Sequence, residues 1–140
     1  MIEREAPVSR ALVIHPTGRD GLSRAEARLE EATGLAEALD LEVAEAFIAP
    51  MRKIDAGRYF GRGKLAELKE RVVDGQADVA VIDTALSPIQ QRNLEKAWNV
   101  KVIDRTGLIL EIFGQRARSK EGVLQVELAR LAYERSRLVR

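Results

Sequence analysis

Apolar residues along this chain fall into short runs separated by amphipathic stretches, and the alternation of the two predicts an α/β domain. Arg10-Ala-Leu-Val-Ile14 reads as a first buried strand, with His15-Pro16-Thr17-Gly18 supplying turn chemistry after it. Ser23, with Glu26 three residues on, makes a capping-box pattern, and Leu22 before it suits a hydrophobic staple. The helix expected from Arg24 to Leu39 turns Ala25, Leu29, Ala32, Ala36 and Leu39 inward. Leu41 to Ile48 then alternates as an edge strand until Ala49-Pro50 interrupts it. Met51 to Phe60 reads as a loop with one helical turn around Ile54 and Asp55, and Lys64 to Val73 as a helix that Gly75 stops. The strongly apolar Ala77 to Ile82 predicts a central strand. Ser87-Pro88 opens a helix over Ile89 to Trp98 that Asn99 releases, and Val100 to Ile103 makes a fourth strand. The economical topology is βαβαβαβ, a mainly parallel four-stranded sheet flanked by helices.

From Thr106 the period becomes helical throughout. Thr106 can cap a segment carrying Leu108, Ile109, Leu110, Ile112 and Phe113, too apolar to remain alone in water. A last helix beginning near Glu121 places Leu124, Leu128, Leu131 and Leu138 on one side, like one arm of a helical hairpin. Burial of that side must come from the body, another subunit, or residues following Arg140. The division expected is an α/β domain over 1–105 and the start of a helical connector over 106–140.

Composition narrows the class. Hydrophobic residues are 46%, charged residues 32% and aromatics only 4% of 140 residues, the make-up of a globular protein with an aliphatic core. With no cysteine there is no disulfide scaffold, thiolate metal site or cysteine nucleophile. The charged first residues do not suit a signal peptide and no run reaches membrane-spanning length, so a cytoplasmic location is expected. Net charge is +1, unevenly spread: Lys+Arg against Asp+Glu stands at 15 to 18 over residues 1–104 and 8 to 4 over residues 105–140. A basic end on a mildly acidic body can meet a phosphate-rich surface; an ordinary solvated helix is the other reading.

Candidate chemistry is sparse. Gly61-Arg62-Gly63-Lys64 invites a phosphate-loop reading, since backbone N–H groups at a helix start can hold an anion. The full pattern G-x-x-x-x-G-K-[ST] is missing, because Arg58 stands at the first glycine and Leu65 at the magnesium-binding hydroxyl. Gly61, Gly63 and Lys64 therefore stay weak nucleotide-binding candidates beside the reading of a turn and helix start. A parallel sheet can gather His15, Asp83 and Asp104 at the carboxyl ends of its strands, where ligands often bind. The structural alternative has His15 closing a turn, Asp83 accepting backbone hydrogens, and Asp104 orienting Arg105 or acting with the cap at Thr106. No metal set, catalytic residue or hydrolase motif emerges, so no enzyme activity is expected of these residues alone. For RNA the candidates are Arg62, Lys64, Arg105, Arg116, Arg118, Lys120, Arg130, Arg135 and Arg137, with Arg140 at the terminus. Few exposed aromatics are present for stacking bases, which favours structured RNA read by backbone and shape.

Ala85-Leu-Ser-Pro-Ile-Gln-Gln-Arg-Asn-Leu94, the run from Val102 through Asp104-Arg-Thr-Gly107 to Arg118, and Glu121 to Tyr133 with Arg137-Leu138 together resemble the amino-terminal region of HflX-type GTPases. Tyr59-Phe-Gly-Arg-Gly-Lys64 resembles that family's glycine-lysine segment. The resemblance implies a full-length protein that binds the large ribosomal subunit and rRNA. A following G domain would bind and hydrolyse GTP with magnesium, in splitting or rescuing stalled ribosomes under stress. It also implies that the true phosphate loop and guanine-specificity motifs lie beyond Arg140, that no cofactor belongs to residues 1–140, and that the full-length protein is monomeric. Two alternatives stay open: a small nucleotide-binding domain using Gly61 to Lys64, and a purely structural docking domain for the G domain.

Overall fold

The computed structural model describes residues 9–117 and 120–137, with only the backbone of Lys120. Four strands, β1 (Arg10–Thr17), β2 (Glu42–Pro50), β3 (Val79–Ile82) and β4 (Lys101–Asp104), form one parallel sheet in the order β2-β1-β3-β4. Helices α1 (Leu22–Ala38), α2 (Arg62–Asp74) and α3 (Pro88–Trp98) make the crossovers, and α4 (Arg105–Arg116) and α5 (Lys120–Ser136) follow the last strand. The expected α/β sheet is therefore present, with β2 at an edge and β3 central.

The period of two along the strands sorts the core into two layers. Leu12, Ile14, Ala80, Ile82 and Val102 pack with Leu68, Val72, Leu94 and Trp98 of α2 and α3, joined by Tyr59 and Phe60. Ala11, Val13, Val79 and Val81 pack on the opposite face with Ala32 and Ala36 of α1 and Leu108 of α4. One bulge disturbs this parity: Ala11 pairs with Val43 but Leu12 pairs with Glu45. The extra residue flips the rest of β2, so Val43 packs with the α1 layer and Phe47 with the α2 layer, where simple alternation put both on one side.

Several local expectations change. β1 continues through His15-Pro16 to Thr17, three residues past its expected end and into the expected turn, because β2 remains its partner there. Proline is tolerated at Pro16 since pairing with β3 ends at Ile14↔Ile82. The Ser23 capping box does not form: a 3-10 turn over Arg19–Gly21 runs straight into α1, whose N-cap is Gly21, and Leu22 is exposed. At Ser87 the box is complete, with the Ser87 hydroxyl accepting from the Gln90 N–H and the Gln90 side chain accepting from the Ser87 N–H. Gly75 ends α2 in helical conformation and Gln76 takes the left-handed one (φ 52°). Asn99 releases α3 as expected (φ 56°).

β4 would present an open edge, and α3 closes it. Its outward Val102 N–H donates to Glu95 Oε2 (3.0 Å) and its carbonyl accepts from Gln91 Nε2 (2.7 Å), leaving no ladder at that residue for another strand to extend.

Candidate functional site

Two places carry polar chemistry, both at the carboxyl end of the sheet. The first gathers His15, Asp83 and Asp104, as a parallel sheet is expected to do. His15 and Asp83 fall on the parity of Ala11, Val13, Val79 and Val81, so both point to the α1 and α4 side. His15 Nδ1 lies 2.9 Å from Asp83 Oδ2, an N–H donating to an acceptor-only carboxylate. Arg105 Nε donates to Asp83 Oδ1 (3.1 Å) and its Nη2 to the Asp83 carbonyl (2.7 Å). His15 thus belongs to a strand rather than a turn, and Asp83, not Asp104, orients Arg105.

Asp104 has a different set of partners. Fully buried, it caps α4 by accepting the Gly107 N–H at Oδ1 (3.0 Å), so the cap expected at Thr106 stands two residues earlier. The same oxygen accepts from the Tyr133 hydroxyl (2.7 Å), while Oδ2 accepts from Leu86 N–H (3.0 Å) and Arg137 Nη2 (3.1 Å). Arg137 also donates to the Leu86 carbonyl (2.9 Å) and its guanidinium lies 4.4 Å from the Tyr133 ring centre. Burial pushes the Tyr133 hydroxyl up to about 12, helped by its hydrogen bond to Asp104 and by that residue's negative charge, with Arg137 pulling the other way. One buried carboxylate with two donors on each oxygen joins the β3–α3 loop, the start of α4 and the end of α5.

The second place is the loop from β2 to α2. The helical turn expected around Ile54 and Asp55 is replaced by a tight reversal in which Asp55 and Tyr59 exchange both backbone hydrogen bonds (2.9 Å each). Asp55 Oδ2 accepts from the N–H groups of Gly57 and Arg58, and α3 pins the turn from below: Gln90 donates to the Asp55 carbonyl and Asn93 to that of Gly57. Tyr59 holds φ 65°, seldom adopted by a bulky residue, because its ring is buried against Phe60 at 5.2 Å between centres. This ordered loop exposes Arg52, Lys53 and Arg58, and the first residue of α2 exposes Arg62. Arg52, Lys53 and Arg58 were not among the sequence candidates. The signal was their density, five cations between residues 52 and 64 against the single acid Asp55.

Gly61 is the N-cap of α2, with Arg62 its first residue and Gly63 and Lys64 already helical. A Cβ added at Gly61 or Gly63 would meet nothing within 4 Å, and Lys64 Nζ lies 3.3 Å from Glu67. The segment is a helix start, with open space beside both glycines.

The remaining RNA candidates divide. Arg116 and Arg135 are exposed. Arg130 pairs with Glu111 (3.1 Å) and Glu127 (3.3 Å), and Arg105 and Arg137 serve Asp83 and Asp104. Arg118 and Arg140 lie outside the described residues, as do Leu138 and the side chain of Lys120. Among the described residues no group of three His, Cys, Asp or Glu side chains could hold a metal ion, and no helix is long and apolar enough to cross a membrane.

An open parallel α/β sheet carrying a helical arm on its last strand is the class these features define. A family described as GTP-binding GTPase N-terminal matches residues 26–114. The chain is 46% identical over 144 residues to GTPase HflX of Magnetococcus marinus, covering 100% of this chain and 33% of that relative. It is 49% identical over 113 residues to GTPase HflX of Escherichia coli, covering 80% of this chain and 26% of that protein. Among solved structures, a GTP-binding protein from the hyperthermophilic archaeon Sulfolobus solfataricus in complex with GDP superposes with TM-score 0.66 at 27% identity, over 93% of this chain and 38% of that one. The chain belongs to the GTP-binding GTPase N-terminal family and aligns with the N-terminal portion of HflX GTPases. It spans between about a quarter and a third of the length of these curated relatives.

Proposed function

We propose that this chain is the ribosome-binding and positioning region of a GTPase that splits or rescues ribosomes, contacting rRNA of the large subunit. Residues 106–140 would begin the connector to a G domain that binds GTP and magnesium, in a cytoplasmic protein that is monomeric at full length. The observation that carries this reading is the pinned, basic β2–α2 loop, which with the first residue of α2 exposes Arg52, Lys53, Arg58 and Arg62 in a fixed arrangement. A rigid backbone bearing arginine forks and no exposed aromatic platform suits phosphate contact with structured RNA. Arg116 and Arg135, exposed on α4 and α5, would add to it, together with Arg118 and Lys120. Arg105, Arg130 and Arg137, with acids of their own to serve, would contribute less.

The test is binding to purified large subunits across a salt series. Replacing Arg52, Lys53, Arg58 and Arg62 together by glutamine should weaken binding at low salt by about tenfold or more. The same change should flatten the salt dependence by about one in log–log slope for each phosphate that is no longer neutralised. Binding absent at low salt, or indifferent to the four substitutions, would sink the proposal.

A further inference from the structure

The last helix is attached to the domain in an unusual way. No described side chain of α5 from Glu121 onward is fully buried, whereas α4 buries both Leu108, which packs on the sheet, and Ile112. The residues of α5 turned toward the body are Gly122, Val126, Arg130, Tyr133 and Arg137, at spacings of four, four, three and four, a helical stripe with one aliphatic member. The leucines lie elsewhere: Leu124, Leu128 and Leu131 are 60%, 58% and 56% exposed. The side expected to seek burial thus points outward.

What holds α5 is polar. Arg130 crosses α4 at Gly114, where a Cβ would stand 2.5 Å from its Nη2, to reach Glu111. Tyr133 passes over Gly107, where a Cβ would stand 3.0 Å from its hydroxyl, to reach Asp104. Arg137 completes the contact at Asp104 and Leu86. The attachment is also incomplete. A groove of about 320 Å³ remains between α5 and β4, lined by Ile103, Gly107, Tyr133 and Arg137 among others. The Nε atoms of Arg130 and Arg137 are buried with no acceptor among the described residues, and each such donor offsets part of what the bonds around it contribute.

We propose that α5 is a releasable arm, latched to the carboxyl end of the sheet by Asp104 through Tyr133 and Arg137, and that opening this latch frees α5 while the α/β body stays folded. Local opening of this kind belongs to contacts with little apolar burial, and among the described residues α5 sets a single aliphatic side chain, Val126, toward the body. Release leaves the core intact because neither hydrophobic layer includes an α5 side chain.

Hydrogen exchange resolved by residue tests this on the 140-residue chain. Tyr133→Phe keeps the ring beside Arg137 and removes one donor to Asp104; Arg137→Lys keeps the charge and removes the fork that spans Asp104 and Leu86. The double variant should exchange α5 amides at least about tenfold faster, the effect of removing a hydrogen bond to a charged acceptor, while amides of β1 and β3 keep their rates. Leu128→Gln, on the outward side, should leave α5 exchange within about twofold. Unchanged α5 exchange in the double variant, a parallel rise in β1 and β3, or α5 loosened by Leu128→Gln as much as by the double variant would each overturn the latch.

Discussion

Two arginine-rich stretches of similar sequence character meet opposite fates in this fold. Between residues 52 and 62 the cations stand on a loop whose backbone is held by Gln90, Asn93 and the buried Tyr59, or at the first residue of the helix that follows it, and their side chains are exposed. Between residues 105 and 137 three arginines turn inward onto Asp83, Glu111, Glu127 and Asp104. Formal charge barely separates the two, with four cations to one acid in the first and seven to four in the second, and it is geometry that favours the first. An arginine counts toward an external surface only after the acids of its own chain have been assigned, and those acids are up to tens of residues away: Asp83 lies 22 residues from Arg105, and Asp104 lies 33 from Arg137.

The contrast is easiest to break at its extremes. Asp104→Ala removes the acceptor from two backbone N–H groups, a phenol and a guanidinium in a fully buried place, so urea unfolding should show a loss of about 3–5 kcal/mol. Arg58→Gln, on the exposed loop with its Nε 3.9 Å from Asp55, should stay within about 0.5 kcal/mol of the parent. Equal losses from the two would erase the distinction between inward and outward charge.

Much of this architecture was legible because it follows from periodicity. The four parallel strands, the central place of Val79–Ile82, the Ser87 cap, and the gathering of His15, Asp83 and Asp104 at the strand ends all follow from local pattern and the parallel rule. The parity that turns His15 and Asp83 to one face was in the sequence as well. The rest depended on events that local pattern does not encode. Nothing in Glu42 to Pro50 marks the bulge that flips Phe47 to the other layer. The capping-box letters at Ser23 gave way to a preceding 3-10 turn, and Thr106 gave way to Asp104, whose carboxylate also serves α5. The partners of the connector arginines were hidden for the same reason, since each pairing was decided by how α4 and α5 cross.

A milder comparison uses glycines in two helices. In a helix interior alanine is favoured over glycine by about 1 kcal/mol, provided the methyl group has room. Gly34 in α1 is exposed with nothing within 4 Å of a Cβ, so Gly34→Ala should raise stability by about 0.5–1 kcal/mol. Gly107 in α4 gives a Cβ 3.0 Å from the Tyr133 hydroxyl and 3.4 Å from Ile103 Cγ2, so Gly107→Ala should show no such gain and should loosen α5. A gain of the same size at both positions would mean that Tyr133 does not pass where the fold puts it.

The smallest effect concerns the hydroxyl that closes this contact. Its ionisation is raised from 10.0 to about 12, first by burial and then by Asp104, so the folded state favours the neutral phenol that donates the hydrogen bond. A raised value stabilises the fold fully below the unfolded value near 10 and loses that contribution as pH climbs through about 12. The stability difference between the parent chain and Tyr133→Phe should therefore be constant up to about pH 10 and shrink between about 10 and 12. Phenolate absorbance in a Tyr59→Phe background isolates the titration of Tyr133. A midpoint at or below about 10 would place the phenol in water and α5 away from Asp104, whereas a midpoint near 12 that falls toward 10 in Arg137→Lys would mean that this change takes the phenol out of its buried contact with Asp104, since Arg137 by itself lowers the value in the intact contact.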